Sequence, residues 1–232
     1  MTDVSKSDHR VVVPLPDRSE SVSVAVSAPA SFETAAILAH GAGSNMHTPA
    51  LVELQGDLSD AGVAAVRFNF LYTEARRRAP DRAPVLEACW RAVADWVKSE
   101  LRPAHLFLGG RSMGGRMASH LGAEGYPCTG LFFLGYPLHP PRQESKLRKD
   151  HLSRITVPML FVSGSRDPLC NLDLLREALA PIQDRAELHV IEGGDHSLRV
   201  PRSSGRTDRD VAREVSNLVL TFFSRAAGTR PL

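Results

Sequence analysis

The stretch Gly109-Gly110-Arg111-Ser112-Met113-Gly114-Gly115 decides the fold of this chain. The apolar run at residues 104–108 predicts a buried strand just before it, and residues 113–122 carry small and apolar side chains at helical spacing just after it. A strand that turns at once into a helix strains the residue at the bend, and its neighbours must lack side chains to avoid clashes. The pattern predicts that Ser112 holds its hydroxyl at the tip of a sharp turn, above a helix N-terminus that favours negative charge.

On both sides of this turn, strand patterns alternate with helix patterns. Such alternation predicts a doubly wound, mostly parallel sheet flanked by helices on both faces. We expect a polar N-terminal tail at residues 1–10 and a single domain over residues 11–232. The predicted strands are residues 11–13, 21–26, 35–39, 63–70, 104–108, 130–135, 157–162 and 186–191, and the predicted helices are residues 49–61, 84–101, 113–122, 172–179 and 208–224.

Composition excludes several classes of protein. The 232 residues suffice for one large α/β domain, and a net charge of +2 is too small to indicate nucleic-acid binding. Three widely spaced cysteines, Cys89, Cys128 and Cys170, argue against a disulfide framework and against a zinc site. The N-terminus lacks a signal-peptide pattern, and no apolar run approaches the roughly 18 residues of a membrane helix. We therefore expect a cytoplasmic protein without a metal ion.

Ser112, Asp167 and His196 supply the three side-chain types that nucleophilic catalysis by serine requires. A serine hydroxyl is a poor nucleophile unless a base lies within hydrogen-bond reach, itself oriented by a carboxylate. Asp167 directly follows a predicted strand, and His196 lies in a glycine-rich loop after the last predicted strand. Because ligands of parallel sheets bind beyond the carboxyl ends of the strands, we expect these loops to gather at one edge.

Four segments together resemble the α/β-hydrolase superfamily over nearly the whole chain, and most of all the small, lidless serine hydrolases grouped with dienelactone hydrolase. The resemblance implies an α/β-hydrolase fold without a cap domain, an acyl-serine intermediate and no cofactor. Dienelactone hydrolase carries cysteine where this chain has Ser112, which argues against that particular reaction. The segments are His40-Gly41-Ala42-Gly43, Gly110-Arg111-Ser112-Met113-Gly114-Gly115, Ser163-Gly164-Ser165-Arg166-Asp167-Pro168 and Gly194-Asp195-His196.

Acyl transfer passes through an oxyanion that needs two positioned N–H donors. The amide of Met113, the residue after the nucleophile, should be one donor. The resemblance implies that the second comes from the loop that begins at His40, and Ala42 is the choice, with Gly43 as the alternative. His40 itself should shape this loop rather than act as a base.

Each proposed role also has a structural alternative. Ser112 could be incidental to a strand-helix turn, Asp167 could cap a turn before Pro168, and His196 could be a surface-loop histidine. Asp173 and Asp195 are the other carboxylates near these positions and are poorer partners for the imidazole.

The substrate is the least specified part of the prediction. About twenty residues separate the strands near Tyr136 and Val157, too few for a helical cap, so we expect a shallow, open pocket for a small or flexible acyl ester. His139 and Tyr72 are the predicted substrate contacts at its rim. The basic run Arg76, Arg77 and Arg78 indicates either a solvated loop or a site for an acidic substrate.

The sequence as a whole predicts a serine hydrolase that cleaves a carboxylic ester or thioester. Its expected partner is a small acyl substrate, with neither nucleic acid nor membrane involved, and the oligomeric state is left open. An acyltransferase with the same triad and a non-catalytic scaffold with this fold are the alternatives.

Overall fold

Eight strands form one twisted sheet at the centre of the molecule, for which a computed structural model describes residues 3–229. The strands are β1 (Val4–Pro14), β2 (Ser19–Pro29), β3 (Thr34–Ala39), β4 (Ala64–Phe68), β5 (His105–Arg111), β6 (Gly130–Leu134), β7 (Met159–Gly164) and β8 (Ala186–Ile191). They lie in the order β1-β2-β4-β3-β5-β6-β7-β8. The pairs β1–β2 and β2–β4 are antiparallel, and the six strands from β4 to β8 in this order pair in parallel.

Six α-helices cover the two faces of the sheet. They are α1 (Pro49–Asp60), α2 (Leu71–Glu74), α3 (Ala83–Glu100), α4 (Met113–Ala123), α5 (Leu172–Leu179) and α6 (Asp208–Ala227). Leu58 of α1 and Phe223 of α6 are buried in the core of one face, whereas Trp90 of α3 and Met117 of α4 are buried in the core of the other. The sheet is thus covered on both sides, as predicted. Among residues 3–229, no helix is long and apolar enough to span a bilayer.

The N-terminal prediction is wrong for residues 4–10, which belong to β1 and not to a tail. This strand lies at the sheet edge and pairs with β2 alone, so most of its polar side chains face solvent while Val11 and Val13 are buried. Backbone pairing at an edge requires no apolar pattern, which is why the sequence signal was missing. Residues 1–2 of the predicted tail and residues 230–232 of the predicted domain lie outside the described part of the chain.

Helix α6, which forms one wall of the cavity described below, begins at a capping box. The side chain of Thr207 accepts the N–H of Asp210 at 3.1 Å, and the Asp210 carboxylate accepts the N–H of Thr207 at 2.8 Å. These bonds satisfy two amide groups that a helix start otherwise leaves without partners.

Removing this cap should destabilise the fold measurably. We expect Thr207→Ala to lower the free energy of unfolding by about 1 kcal/mol, because an orphaned amide returns to water. Thr221→Ala, at an exposed position inside α6, is the matched control and should be slightly stabilising, because alanine has the higher helix propensity. Urea titrations of the three proteins measure the difference, and equal midpoints for Thr207→Ala and wild type would contradict the role of the cap.

Candidate active site

The turn between β5 and α4 is as tight as the sequence predicts. Ser112 lies at its tip with φ 49° and ψ −118°, a strained conformation for a residue with a side chain. A Cβ on Gly110 would lie 2.2 Å from the carbonyl oxygen of Ala39, and one on Gly114 would lie 2.6 Å from that of His40. Only glycine at these two positions allows the turn to approach the end of β3 so closely.

The structure brings Ser112, His196 and Asp167 together in one hydrogen-bonded chain. Ser112 Oγ lies 2.8 Å from His196 Nε2, and His196 Nδ1 lies 2.8 Å from Asp167 Oδ2. The second carboxylate oxygen of Asp167 accepts the N–H of Leu169 at 2.8 Å. The Asp167 side chain is fully buried, whereas the imidazole of His196 keeps 24% of its surface exposed. With Nδ1–H donated to the carboxylate, Nε2 is the acceptor that faces the serine.

The two neighbouring carboxylates that the sequence left as alternatives do not reach His196. Asp195 accepts the N–H groups of Ser197 and Arg199 at 2.7 and 2.9 Å, and so shapes the loop that carries the histidine. Asp173 is exposed and pairs with Arg176 of its own helix. The carboxylate in contact with the imidazole is therefore that of Asp167.

Two backbone amides near Ser112 are available to a ligand. Met113 is the first residue of α4, so its N–H has no acceptor within the helix. Within residues 3–229, the N–H of Ala42 donates to no protein acceptor, and Ala42 lines the cavity beside Ser112. A Cβ on Gly41 would lie 3.4 Å from the Cβ of Ser112, so the loop with Ala42 passes next to the serine. Gly43, the alternative donor, is absent from the cavity wall in the described structure.

The loop that carries Ala42 is held by the buried ring of His40. Its Nδ1 donates to the carbonyl of Gly41 at 2.8 Å, and its Nε2 lies 3.3 Å from both the Phe70 amide and the Thr73 hydroxyl. Burial lowers the pKa of His40 to about 4, so the ring is neutral near pH 7. His40 thus shapes the loop, as predicted.

A cavity of about 600 Å³ opens beside Ser112, between the N-terminal halves of α1 and α6. Its walls near the serine include Arg111, Leu134 and Leu198. The sequence led us to expect a shallow pocket, but the space extends between two helices far apart in the chain. The helical patterns identified the buried faces of α1 and α6 but not the cleft that remains between them.

The structure does not place the two predicted substrate contacts, His139 and Tyr72, on the wall of this cavity. Both side chains are almost completely buried. His139 Nδ1 donates to the carbonyl of Pro140 at 2.9 Å, and its Nε2 accepts the N–H of Asn171 at 3.0 Å. The Tyr72 hydroxyl points to the carbonyl of Gly41 at 3.4 Å. Their hydrogen-bonding groups are used within the protein, where they support loops around the site.

The arginine run also lies away from the cavity. Arg76, Arg77 and Arg78 are exposed, and Arg77 pairs with Asp81 at 2.5 Å. The solvated loop is therefore the interpretation that the structure favours over an acidic-substrate site at Ser112.

The cysteines are poor nucleophiles in this structure. Burial raises the pKa of the thiols of Cys89, Cys128 and Cys170 to about 12 each, so they stay protonated near pH 7. Cys170 lies near Asp167 in sequence, but it does not occupy the position of Ser112, and its thiol stays protonated near pH 7.

Arg111 lines the cavity beside Ser112, although the sequence pattern did not identify it as a site residue. It lies within the glycine-rich turn itself, where its side chain is largely buried, and one guanidinium nitrogen lies 3.5 Å from the carbonyl oxygen of His196. Burial lowers its pKa, although the nearby carboxylate of Asp195 opposes this shift. Its place directly before Ser112 in the glycine-rich turn was the signal that could have identified it.

Solved structures with the same fold include several hydrolases. A lidless α/β serine hydrolase from Xanthomonas campestris superposes with a TM-score of 0.73 at 18% identity, covering 97% of each chain. A dienelactone hydrolase from Anabaena variabilis gives 0.69 at 18% identity, covering 95% of this chain and 98% of its own. An esterase domain from Rhodothermus marinus gives 0.73 at 15% identity, covering 95% and 98%. At these identities the likeness establishes the fold.

A family model described as an alpha/beta hydrolase domain matches residues 32–224, which is most of the chain. The match begins just before β3 and ends within α6, so it spans all three residues of the hydrogen-bonded chain at Ser112. The expected α/β-hydrolase fold is confirmed, and the chain belongs to the α/β-hydrolase family.

Proposed function

We propose that the protein is a serine hydrolase that cleaves a carboxylic ester or thioester through an acyl-Ser112 intermediate. The observation that carries this proposal is the continuous chain from Ser112 Oγ to His196 to buried Asp167, with both donor–acceptor distances at 2.8 Å. Hydrolases and an esterase domain among proteins of the same fold support the reaction class.

Acylation follows from this geometry. Ser112 Oγ attacks the acyl carbonyl carbon while its proton passes to His196 Nε2. The resulting oxyanion accepts the N–H groups of Met113 and Ala42. The bond to the leaving oxygen or sulfur then breaks, and His196 returns the proton to that atom. The carboxylate of Asp167 stabilises the imidazolium through Nδ1–H.

Deacylation uses the same groups with water as the nucleophile. About a quarter of the His196 side chain is exposed, so water can approach the imidazole. Water loses a proton to this nitrogen as it attacks the acyl carbon, the oxyanion returns to the same two amides, and Ser112 Oγ departs with the proton. The products are a carboxylic acid and free enzyme. Because water can reach the base, hydrolysis is favoured over acyl transfer to another acceptor.

A scaffold role is the less favoured reading of the same fold. A non-catalytic protein has no requirement for a strained serine, a base within hydrogen-bond reach and a buried carboxylate at once. Strained residues persist where the surrounding structure holds them, and such strain is concentrated at functional sites.

His40 supports the oxyanion site only in its neutral form. Its Nε2 faces the N–H of Phe70 and must therefore accept, which a protonated ring cannot do. We propose that this ring keeps the Ala42 amide in place for the oxyanion.

Substitution of the hydrogen-bonded chain tests the reaction. We expect Ser112→Ala to abolish turnover of short acyl esters and Asp167→Asn to lower kcat by about four orders of magnitude, because an asparagine favours the wrong imidazole tautomer. Steady-state kinetics with nitrophenyl acetate and acetyl thioesters measure both effects.

Asp173→Asn is the matched control, since Asp173 is exposed and lies outside the site. It should retain wild-type rates. Wild-type activity in Asp167→Asn, with the fold intact by circular dichroism, would contradict the role of Asp167.

The buried His40 predicts a specific pH dependence of stability. Its pKa is about 4 in the folded protein and near 6.5 when unfolded, so the unfolded chain binds the extra proton between these values. The contribution of neutral His40 to the free energy of unfolding is fully present above about pH 6.5. It is lost as the pH falls towards 4, and this loss is about 3 kcal/mol at most.

His40→Gln isolates this contribution. Glutamine can still accept the Phe70 amide but does not titrate, so its free energy of unfolding should fall less than that of wild type between about pH 7 and about pH 4.5. Burial also lowers the pKa of His151 to about 4, and only the difference between the two proteins reports on His40. Urea titrations of wild type and His40→Gln at both pH values measure this difference. Parallel losses in the two proteins would contradict a buried, neutral His40.

A further inference from the structure

We propose that the cleft between α1 and α6 binds a linear aliphatic acyl chain of intermediate length, and that the acid half of the ester decides which substrates are used. This inference rests on the function proposed for Ser112 and specifies the substrate class of the same site.

The floor of the cleft is aliphatic. Its apolar side chains come from both helices and from the loop after His196, and all are nearly buried in the protein without ligand. A pocket of this kind, within the usual 300–1,000 Å³ of small-ligand sites, gains affinity mainly from apolar area. The floor residues are Leu51 and Leu54 of α1, Val211 and Val215 of α6, and Leu198.

The cleft has a closed end, which limits the length of the chain. It follows α6 over residues 208–216, about 12 Å at 1.5 Å per residue. One turn beyond Leu54, the last wall residue of α1, Asp57 Oδ2 accepts the hydroxyl of Ser216 at 2.5 Å. This bond joins the two helices and closes the space between them. A chain longer than the cleft must bend back or leave its end in water.

The charged groups on the wall do not select an ionic substrate. They are two cations, Arg111 and Arg199, and two carboxylates, Glu53 and Asp208, so the formal charges cancel. All except Arg111 are exposed. The interior between the helices therefore presents mainly methyl groups. The exposed charges remain in contact with water, and Arg111 lies at the serine end of the cleft.

The direction of proton transfer places the acyl half inside the cleft. The leaving group must contact His196 Nε2 to receive its proton, and it must depart before water enters. The imidazole is partly exposed, so the leaving group lies on its solvent side. The acyl chain stays attached to Ser112 after that departure and takes the enclosed space.

Two ester series on the wild-type protein test the inference. With a constant nitrophenyl leaving group, kcat/KM should rise from acetate through butyrate to octanoate by about fourfold for each methylene that enters the cleft, and should fall again at palmitate. With a constant acetyl group, lengthening the alcohol from ethyl to octyl should give no comparable rise.

Substitutions in the cleft wall distinguish binding of the acyl chain in the cleft from a general preference for hydrophobic substrates. Ala212→Phe narrows the cleft and should lower the octanoate-to-acetate ratio of kcat/KM by about fifteenfold, the effect of losing about two buried methylenes. Ala226→Phe is the matched control: it makes the same change at a partly buried position of α6 away from the cavity, and should leave the ratio as in wild type. Val215→Ala enlarges the floor and should move the optimum towards longer chains.

The outcomes are distinguishable. Turnover that is indifferent to acyl length, that follows the alcohol length, or that responds equally to Ala212→Phe and Ala226→Phe would overturn the acyl assignment while the proposed function stands. No turnover of any ester or thioester would overturn the proposed function and this assignment with it.

Discussion

The close approach of the β5–α4 turn to the end of β3 is the constraint on which the rest of the site depends. Backbone atoms of Ala39 and His40 occupy the space that side chains at residues 110 and 114 would need. This contact holds Ser112 in its strained conformation and brings the loop with Ala42 next to it. The amide of Met113 and that of Ala42 come from different segments, and the contact sets their separation. The proposed nucleophile and the two proposed oxyanion donors are thus positioned by one packing arrangement.

The parallel sheet supplies the remaining groups without local sequence proximity. Strands β7 and β8 run in the same direction as β5, so the loops that follow them end at the same edge. Asp167 and His196 leave those strands 29 residues apart and meet over the serine. The carboxylate is buried while the imidazole is partly exposed, an arrangement that orients the proposed base and still lets water reach it. The buried Asp167 therefore supplies the negative charge, whereas the neighbouring His196 keeps the contact with solvent.

Local chemistry made part of this site predictable. Glycine spacing identified the turn at Ser112, and the position of Asp167 and His196 after predicted strands identified their place at the sheet edge. Helix α5 has the predicted bounds, Leu172–Leu179, and Asn171 caps its start through the amides of Asp173 and Leu174. These features depend on neighbours in sequence or on the direction of a strand.

Features that depend on distant pairings could not be predicted. The cleft forms between α1 and α6, and the bond from Ser216 to Asp57 that closes it joins residues 159 positions apart. His139 and Tyr72 follow strands and carry polar groups, so the sequence alone could not distinguish wall residues from loop supports whose hydrogen bonds are already made. Strand β1 escaped detection because pairing at a sheet edge leaves polar side chains in water.

Reaction with a fluorophosphonate, followed by peptide mapping, tests the central claim most directly. Only an activated serine next to a base and an oxyanion site attacks phosphorus rapidly. The account predicts one adduct, on Ser112, that is lost in Ser112→Ala and slowed in Asp167→Asn. Folded protein that forms no adduct, or forms it on another residue, would contradict the assignment of Ser112, His196 and Asp167 as a catalytic unit.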